Sequence, residues 1–275
     1  MLKAIRNKCL DNNRIQGLVR EASRSRIIPK CVYTRLPPLG CHPVNSPAGN
    51  RFSYFADIHD MLARHVVWEN LRKWEVTSLR VLSELARTAE LFLDVGAYSG
   101  VYSLVACADG PSEVIAFEPN PNILPILLEN IQVNGWQNRI TVIPKGASVS
   151  AGIAHLTVPF DTTATRIDEE GTGPLIELTS IDEILIGRKV DIIKIDVEGH
   201  ESEVCKGARQ SLEKYHPALI IESLAKQSFV ELVAILEPLG YVHCQHLGQA
   251  GPQLTKDFID APTYANFLWT APRNS

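Results

Sequence analysis

Leu91-Phe-Leu-Asp-Val-Gly-Ala-Tyr-Ser-Gly100 decides the fold of this chain: an apolar run broken only by Asp94 enters a turn framed by two glycines, and the helical pattern Val101–Ala108 follows. A buried strand that passes through a glycine turn into a helix is the opening unit of nucleotide-binding α/β folds. Gly96 lets the main chain pass close to a ligand where a side chain would collide, and Gly100 lets the next helix pack tightly on the sheet.

Working outward, short apolar runs at Val114–Phe117, Ile140–Ile143, Ile192–Ile195 and Ala218–Ile221 alternate with helical patterns at Pro121–Asn134, Glu201–Lys214 and Gln227–Leu239, the last closed by Gly240. Such alternation predicts βαβ units on a parallel sheet. Tyr241–Leu247 and Tyr264–Thr270 have no helical pattern between them, which predicts an antiparallel hairpin at one sheet edge. The expected fold is α/β and Rossmann-like, mostly parallel, with that C-terminal hairpin. Residues 151–189 interrupt the alternation with a predicted hairpin around Ile153–Val158 and a short helix at Ile181–Leu185, an insertion placed to shape a substrate site.

Before the glycine turn, Pro37, Pro38, Gly40, Pro43, Pro47 and Gly49 read as a loop, and Met61–Ala89 reads as one or two amphipathic helices. The expected organisation is a basic extension and linker over 1–50, a helical lead-in over 51–90 and a cofactor-binding domain over 91–275. Residues 1–35 carry nine Lys/Arg against Asp11 and Glu21, a balance of +7, so with −4 overall the remainder carries −11. So acidic a body repels a phosphate backbone, and nucleic acid is not expected as a substrate. The arm reads as a solvated, partly helical extension, with mitochondrial targeting or an anionic partner as alternatives. No apolar run approaches the roughly 20 residues of a membrane span, and no signal-peptide block follows Lys3, Arg6 and Lys8. Six scattered cysteines without a CxxC pair suggest neither disulfides nor zinc, and a cytoplasmic location is the default expectation. A homodimer is compatible with all of this.

Asp94 ends the first strand, where a carboxylate can fix the turn and favour a cationic ligand group rather than a pyrophosphate. Glu118 follows 24 residues later at the end of the second strand, placed to accept hydrogen bonds from both hydroxyls of a ribose. After the third strand, the small residues Gly146 and Ala147 leave room for an adenine ring. A nicotinamide dinucleotide would call for G-x-G-x-x-G, whereas Gly100 is followed by Val-Tyr-Ser-Leu. The cleft therefore points to S-adenosylmethionine. A nicotinamide-dependent oxidoreductase and a non-catalytic binding domain remain the alternatives.

With Asp191-Ile-Ile-Lys-Ile-Asp-Val-Glu-Gly-His-Glu201 the chain resembles the FkbM-type methyltransferases. The resemblance covers about Trp74 to Ser223, through Trp74-Glu75, Asp94-Val-Gly-Ala97, Phe117-Glu-Pro-Asn120, Ser180-Ile-Asp182, Lys194-Ile-Asp-Val-Glu-Gly199 and Pro217-Ala-Leu-Ile-Ile-Glu222. It implies a class I methyltransferase fold, S-adenosylmethionine as donor and usually an oxygen of a sugar, polyketide or similar metabolite as acceptor. Carried over by position, it puts Asp94, Gly96, Ala97, Tyr98 and Gly100 around the methionine end, Glu118 and Asn120 on the ribose, and Asp196 near the sulfonium. Tyr98 stands where many relatives have Asn.

Methyl transfer to a hydroxyl needs alignment and one proton acceptor. Asp196, Glu198 and His200 follow the fourth strand beside the cleft, and each is a candidate base: two close carboxylates raise the proton affinity of one of them, and a histidine's unperturbed range lies nearest neutrality. Asp196, Glu198 and Glu222 could instead hold Mg²⁺ or Ca²⁺, but a metal is not the favoured reading. His243 and His246 fall on opposite faces of an edge strand and read as exposed structural residues. Trp74 and Glu75 either lid the cofactor or, for Trp74 the preferred reading, pack in the core.

Overall fold

The computed structural model describes residues 13–25, 27, 36–110, 112–157, 165–168, 171–261 and 265–272. Among the described residues, the first elements are helix α1 (Asn13–Arg24), antiparallel strands β1 (Gly40–Asn45) and β2 (Arg51–Ala56), and helices α2 (Ala63–Val67) and α3 (Val76–Ala86). Strand β1 lies in the stretch read as a loop. Pro43 disguised it, yet a proline is tolerated in a strand that pairs on one side only. Val44, Phe52 and Tyr54 are buried, so the hairpin belongs to the core. Helix α1 docks through polar groups: Ser23 Oγ donates to Trp68 O at 3.2 Å, and Arg24 Nη2 donates to Pro43 O and Val67 O. The rest of the basic arm, including Lys3, Arg6, Lys8 and Asp11, lies outside the described residues.

The central sheet forms where the apolar runs predict. It is built from β3 (Leu91–Val95), α4 (Val101–Asp109), β4 (Glu113–Phe117), α5 (Leu124–Gln132) and β5 (Ile140–Ile143). A second sheet follows in the insertion, from β6 (Gly146–Ala147), β7 (Gly152–Thr157), β8 (Arg166–Asp168) and β9 (Leu175–Thr179). Val158, the end of the predicted hairpin strand, lies outside the described residues. Helix α6 (Ile181–Leu185) opens with a capping box between Ser180 and Glu183. The main sheet resumes with β10 (Ile192–Ile195), α7 (Glu201–Gly207), α8 (Arg209–Tyr215), β11 (Ala218–Glu222) and α9 (Lys226–Leu236), and ends with β12 (His243–Gly248), β13 (Gly251–Leu254) and β14 (Asn266–Thr270).

Three expectations are corrected. The helix predicted over Glu201–Lys214 breaks at Ala208, because Gly207 packs so closely on the insertion that a Cβ there would lie 2.0 Å from Ser148 O. The last two predicted strands do pair, but β14 sits inside, between β11 and β12, while β13 takes the edge; Tyr264 lies outside the described residues. His246 is not exposed: it is buried against Phe267, while His243 faces outward.

The sheet order β13-β12-β14-β11-β10-β3-β4-β5 reverses between β10 and β3, and open α/β sheets bind ligands beside such a reversal. Both faces are covered. Phe92, Ile192 and Ile220 pack beneath α3 and α4, and Leu93, Val95, Ile193 and Ile195 on the opposite side with α7 and α9. No helix among the described residues is long and apolar enough to cross a membrane.

Candidate functional site

Strand alternation aims a polar set at one face of this sheet. Asp94 and Lys194 are register partners across β3 and β10, Asp196 follows Lys194 by two, and Glu222 is paired with Asn266 across β11 and β14. All share parity with Phe92, Ile192 and Ile220, the residues under α3 and α4.

The glycine turn brings β3 and β10 into near contact. Gly96 has φ +81°, and a Cβ on it would lie 1.8 Å from the carbonyl oxygen of Asp196. Gly96 N and Ala97 N both donate to Phe117 O, at 3.1 and 2.9 Å, which ties the turn to β4. Gly100 (φ +91°) precedes α4, and a Cβ there would be 2.6 Å from Leu127. Tyr98 also has a positive φ, 52°, a conformation that Asn tolerates far better than a bulky residue. Its hydroxyl anchors it, accepting from Met61 N at 3.1 Å and donating to His59 O at 3.3 Å.

Glu118 is buried, with Oε1 accepting from Asn120 N and Oε2 from Tyr98 N, both at 2.7 Å. Burial pushes its carboxyl up to about 7, against the pull of those two bonds. A carboxyl held above its unfolded value binds a proton more tightly in the native state, so its stabilisation is complete at low pH and fades as pH rises from the unfolded value through about 7. The ligand-free protein should therefore melt at lower temperature at pH 7.5 than at pH 5.5. In Glu118→Gln that slope should be shallower by on the order of 2 kcal/mol, read from melting curves across the range; an unchanged slope would assign the effect elsewhere.

A cavity of about 200 Å³ opens at the sheet reversal. Of the residues singled out in the sequence, Gly96, Tyr98, Glu118, Asn120, Gly146, Ala147, Asp196 and Glu198 line it. Asp94, Ala97, Gly100 and His200 do not. Asp94 instead binds the start of α4, accepting from Ser103 N at 2.9 Å and Ser103 Oγ at 2.6 Å, and burial raises its carboxyl to about 6. His200 Nε2 lies 3.0 Å from Ser148 Oγ. Trp74 packs against the core, as read from the sequence, and also lines the cavity, meeting Tyr102 edge-on at 6.2 Å.

At one end of the cavity the carboxylates of Glu75, Asp196 and Glu222 come within 4.8 Å of one another. Lys194, 1% exposed, places Nζ 3.1 Å from Asp196 Oδ2 and 5.1 Å over the ring of Tyr102, whose hydroxyl donates to Glu75. Burial and then Asp196 raise the carboxyl of Glu222 to about 10, and burial raises Glu75 as well. Burial alone would pull Lys194 down, but Asp196, Glu75 and Glu222 together hold it above its ordinary value. An internal ammonium thus balances this cluster, which weakens the case for a divalent ion there. Sequence reasoning missed Lys194, although a lysine inside Ile192-Ile-Lys-Ile195 is itself a signal, since a charge in a buried strand must be paired. The apolar walls Leu62, Leu156 and Ile167 left no such trace.

Comparison with known proteins agrees with this geometry. The sequence model of the methyltransferase FkbM domain matches residues 94–243. The hexuronic acid methyltransferase AglP of Haloferax volcanii is 30% identical over 184 residues, 62% of this chain and 74% of that protein. Methyltransferase sdnD of Sordaria araneosa is 26% identical over 187 residues, 54% of this chain and 72% of its own length. The crystal structure of a methyltransferase FkbM from Methylobacillus flagellatus KT superposes with a TM-score of 0.51 at 24% identity, covering 78% of this chain; the chain spans 55% of that protein's length. With a class I α/β sheet and a domain match running from Asp94 at the glycine turn to His243 in β12, the chain belongs to the FkbM family of S-adenosylmethionine-dependent methyltransferases.

Proposed function

We propose that this chain transfers a methyl group from S-adenosylmethionine to a hydroxyl oxygen of a sugar, glycan or similar small metabolite. One observation carries the reading: a single cavity joins Gly96, Glu118, Gly146 and Ala147 at one part to the Glu75–Asp196–Glu222 cluster at another. The residues suit the donor. Small residues leave space for an adenine, Glu118 retains acceptor capacity for ribose hydroxyls, and Asn120 lines the same wall. Asp94, Ala97 and Gly100 act from behind, by shaping the turn.

When bound, S-adenosylmethionine supplies a methyl group on a positively charged sulfur. The chain's own part is to align the acceptor hydroxyl with that methyl group and to take the hydroxyl proton on a carboxylate. Of the three candidate bases, Asp196 is preferred, because it lines the cavity and lies in the cluster. Glu198 lines the cavity from a left-handed turn (φ 53°), and His200 is turned to Ser148. Trp74 offers an apolar surface beside the carboxylates, the pairing that suits the apolar face and the hydroxyl rim of a sugar ring. The hexuronic acid methyltransferase among the relatives supports that acceptor class. The lining residues include five acidic side chains against Lys145, so the cavity offers little basic surface to a phosphate backbone. Residues 91–275 are proposed as the cofactor-binding unit, acting in the cytoplasm without a metal.

Labelled methyl transfer to a panel of hexoses, hexuronates and oligosaccharides tests this. The expected product carries the label in a base-stable ether. Label only in a base-labile ester, or none in any hydroxylated acceptor, would reject a hydroxyl as the target.

A further inference from the structure

We propose that Lys194 is a positioning residue for methyl transfer: its buried ammonium holds the carboxylate of Asp196 in place on the wall of the cavity. This rests on the reading of Asp196 as the base, and it goes further by assigning the residue that makes that role sustainable.

Lys194 lies in the second layer of the site. It is 1% exposed and absent from the cavity wall, yet 3.1 Å from Asp196. The groups facing it come from every surrounding element: Glu75 before α3, Asp94 on β3, Tyr102 on α4, Glu222 on β11, and Asp196 beyond its own strand. Among these, Lys194 is the only cation. Of the three carboxyl groups gathered here, Asp196 takes the hydrogen bond of the ammonium, at 3.1 Å, while burial raises the carboxyls of Glu75 and Glu222. Asn266 fixes the far side, hydrogen-bonding Glu75 and aligned with Glu222 in the ladder. Without the ammonium, Asp196 loses the hydrogen bond that fixes its carboxylate on the cavity wall.

The test uses the full chain as wild type, Lys194→Met, Asp196→Asn and the double variant, which removes one charge of each sign and so keeps the cluster's balance. At saturating S-adenosylmethionine, Lys194→Met should slow single-turnover transfer about tenfold or more, because the carboxylate of Asp196 is no longer held in place. Cofactor affinity should stay within about threefold, a change of under 1 kcal/mol. In the melting-temperature cycle, the double variant should lose less than the sum of the two single losses. Additive losses would overturn the coupling. An unchanged rate, or a loss carried by cofactor affinity, would overturn the positioning role. If wild type methylates no acceptor, the functional reading fails by itself, and the melting cycle still decides whether Lys194 and Asp196 act as a pair.

Discussion

Gly96→Ala should abolish measurable S-adenosylmethionine binding, weakening it by at least about 100-fold, or some 2.7 kcal/mol. The added Cβ would sit 1.8 Å from the carbonyl oxygen of Asp196, in a backbone conformation (φ +81°) that disfavours any side chain by roughly 1–2 kcal/mol. Backbone cannot swing aside as a flexible side chain can. The ends of β3 and β10 must part, and both line the cavity through Gly96 and Asp196. The same strain should lower the melting temperature by several degrees. Calorimetric titration and a melting curve on the variant check this; an unchanged Kd with an unchanged Tm would show that the close approach is not needed.

Asp196→Asn is expected to reduce kcat by on the order of 100-fold or more, the usual contribution of a positioned general base, while leaving cofactor affinity within a few-fold. Asparagine keeps the shape but cannot take the hydroxyl proton. It also leaves Lys194 facing Glu75 and Glu222 alone, so some loss of thermal stability should accompany the kinetic one. By contrast, His200→Ala should change the rate little, because His200 lies off the cavity wall beside Ser148. Single-turnover rates of the two variants, measured side by side, separate the candidates: a large loss in His200→Ala with none in Asp196→Asn would reverse the assignment of the base.

The fold was legible where one physical signal dominated. Parallel strands covered on both faces are largely apolar, so Leu91–Val95, Ile192–Ile195 and Ala218–Glu222 are visible as runs, to within a residue of their ends, and so is the edge strand Ile140–Ile143. Strands β1 and β13 were hidden because each contains a proline, Pro43 or Pro252, which only an edge or singly paired strand accepts. The break at Ala208 depends on a contact between Gly207 and Ser148, residues 59 apart in the chain, and no local pattern encodes it.

The site divides in the same way. Gly96, Glu118 and Asp196 were readable because a strand that runs straight into a helix needs a glycine at the turn, and a carboxylate at the end of a buried strand is costly unless it binds something. Asp94 was readable as important, but its direction was not: it looks inward to Ser103, since strand parity puts it on the α4 face. Glu75 sits before α3, far from the others in sequence, and joins the cluster only through the packing of α3 on the sheet. Chain distance concealed it. Tyr98 shows the reverse case: a tyrosine is a poor fit to the left-handed turn by backbone preference, and the bonds of its hydroxyl to Met61 N and His59 O are what hold it there.

Titration calorimetry of S-adenosylmethionine into wild type and Glu118→Ala tests the central claim most directly. Saturable one-to-one binding to wild type, weakened at least about tenfold (about 1.4 kcal/mol) in the variant, is the predicted result. No saturable heat with wild type, or equal affinity in both proteins, would contradict the assignment of this cavity as the cofactor site.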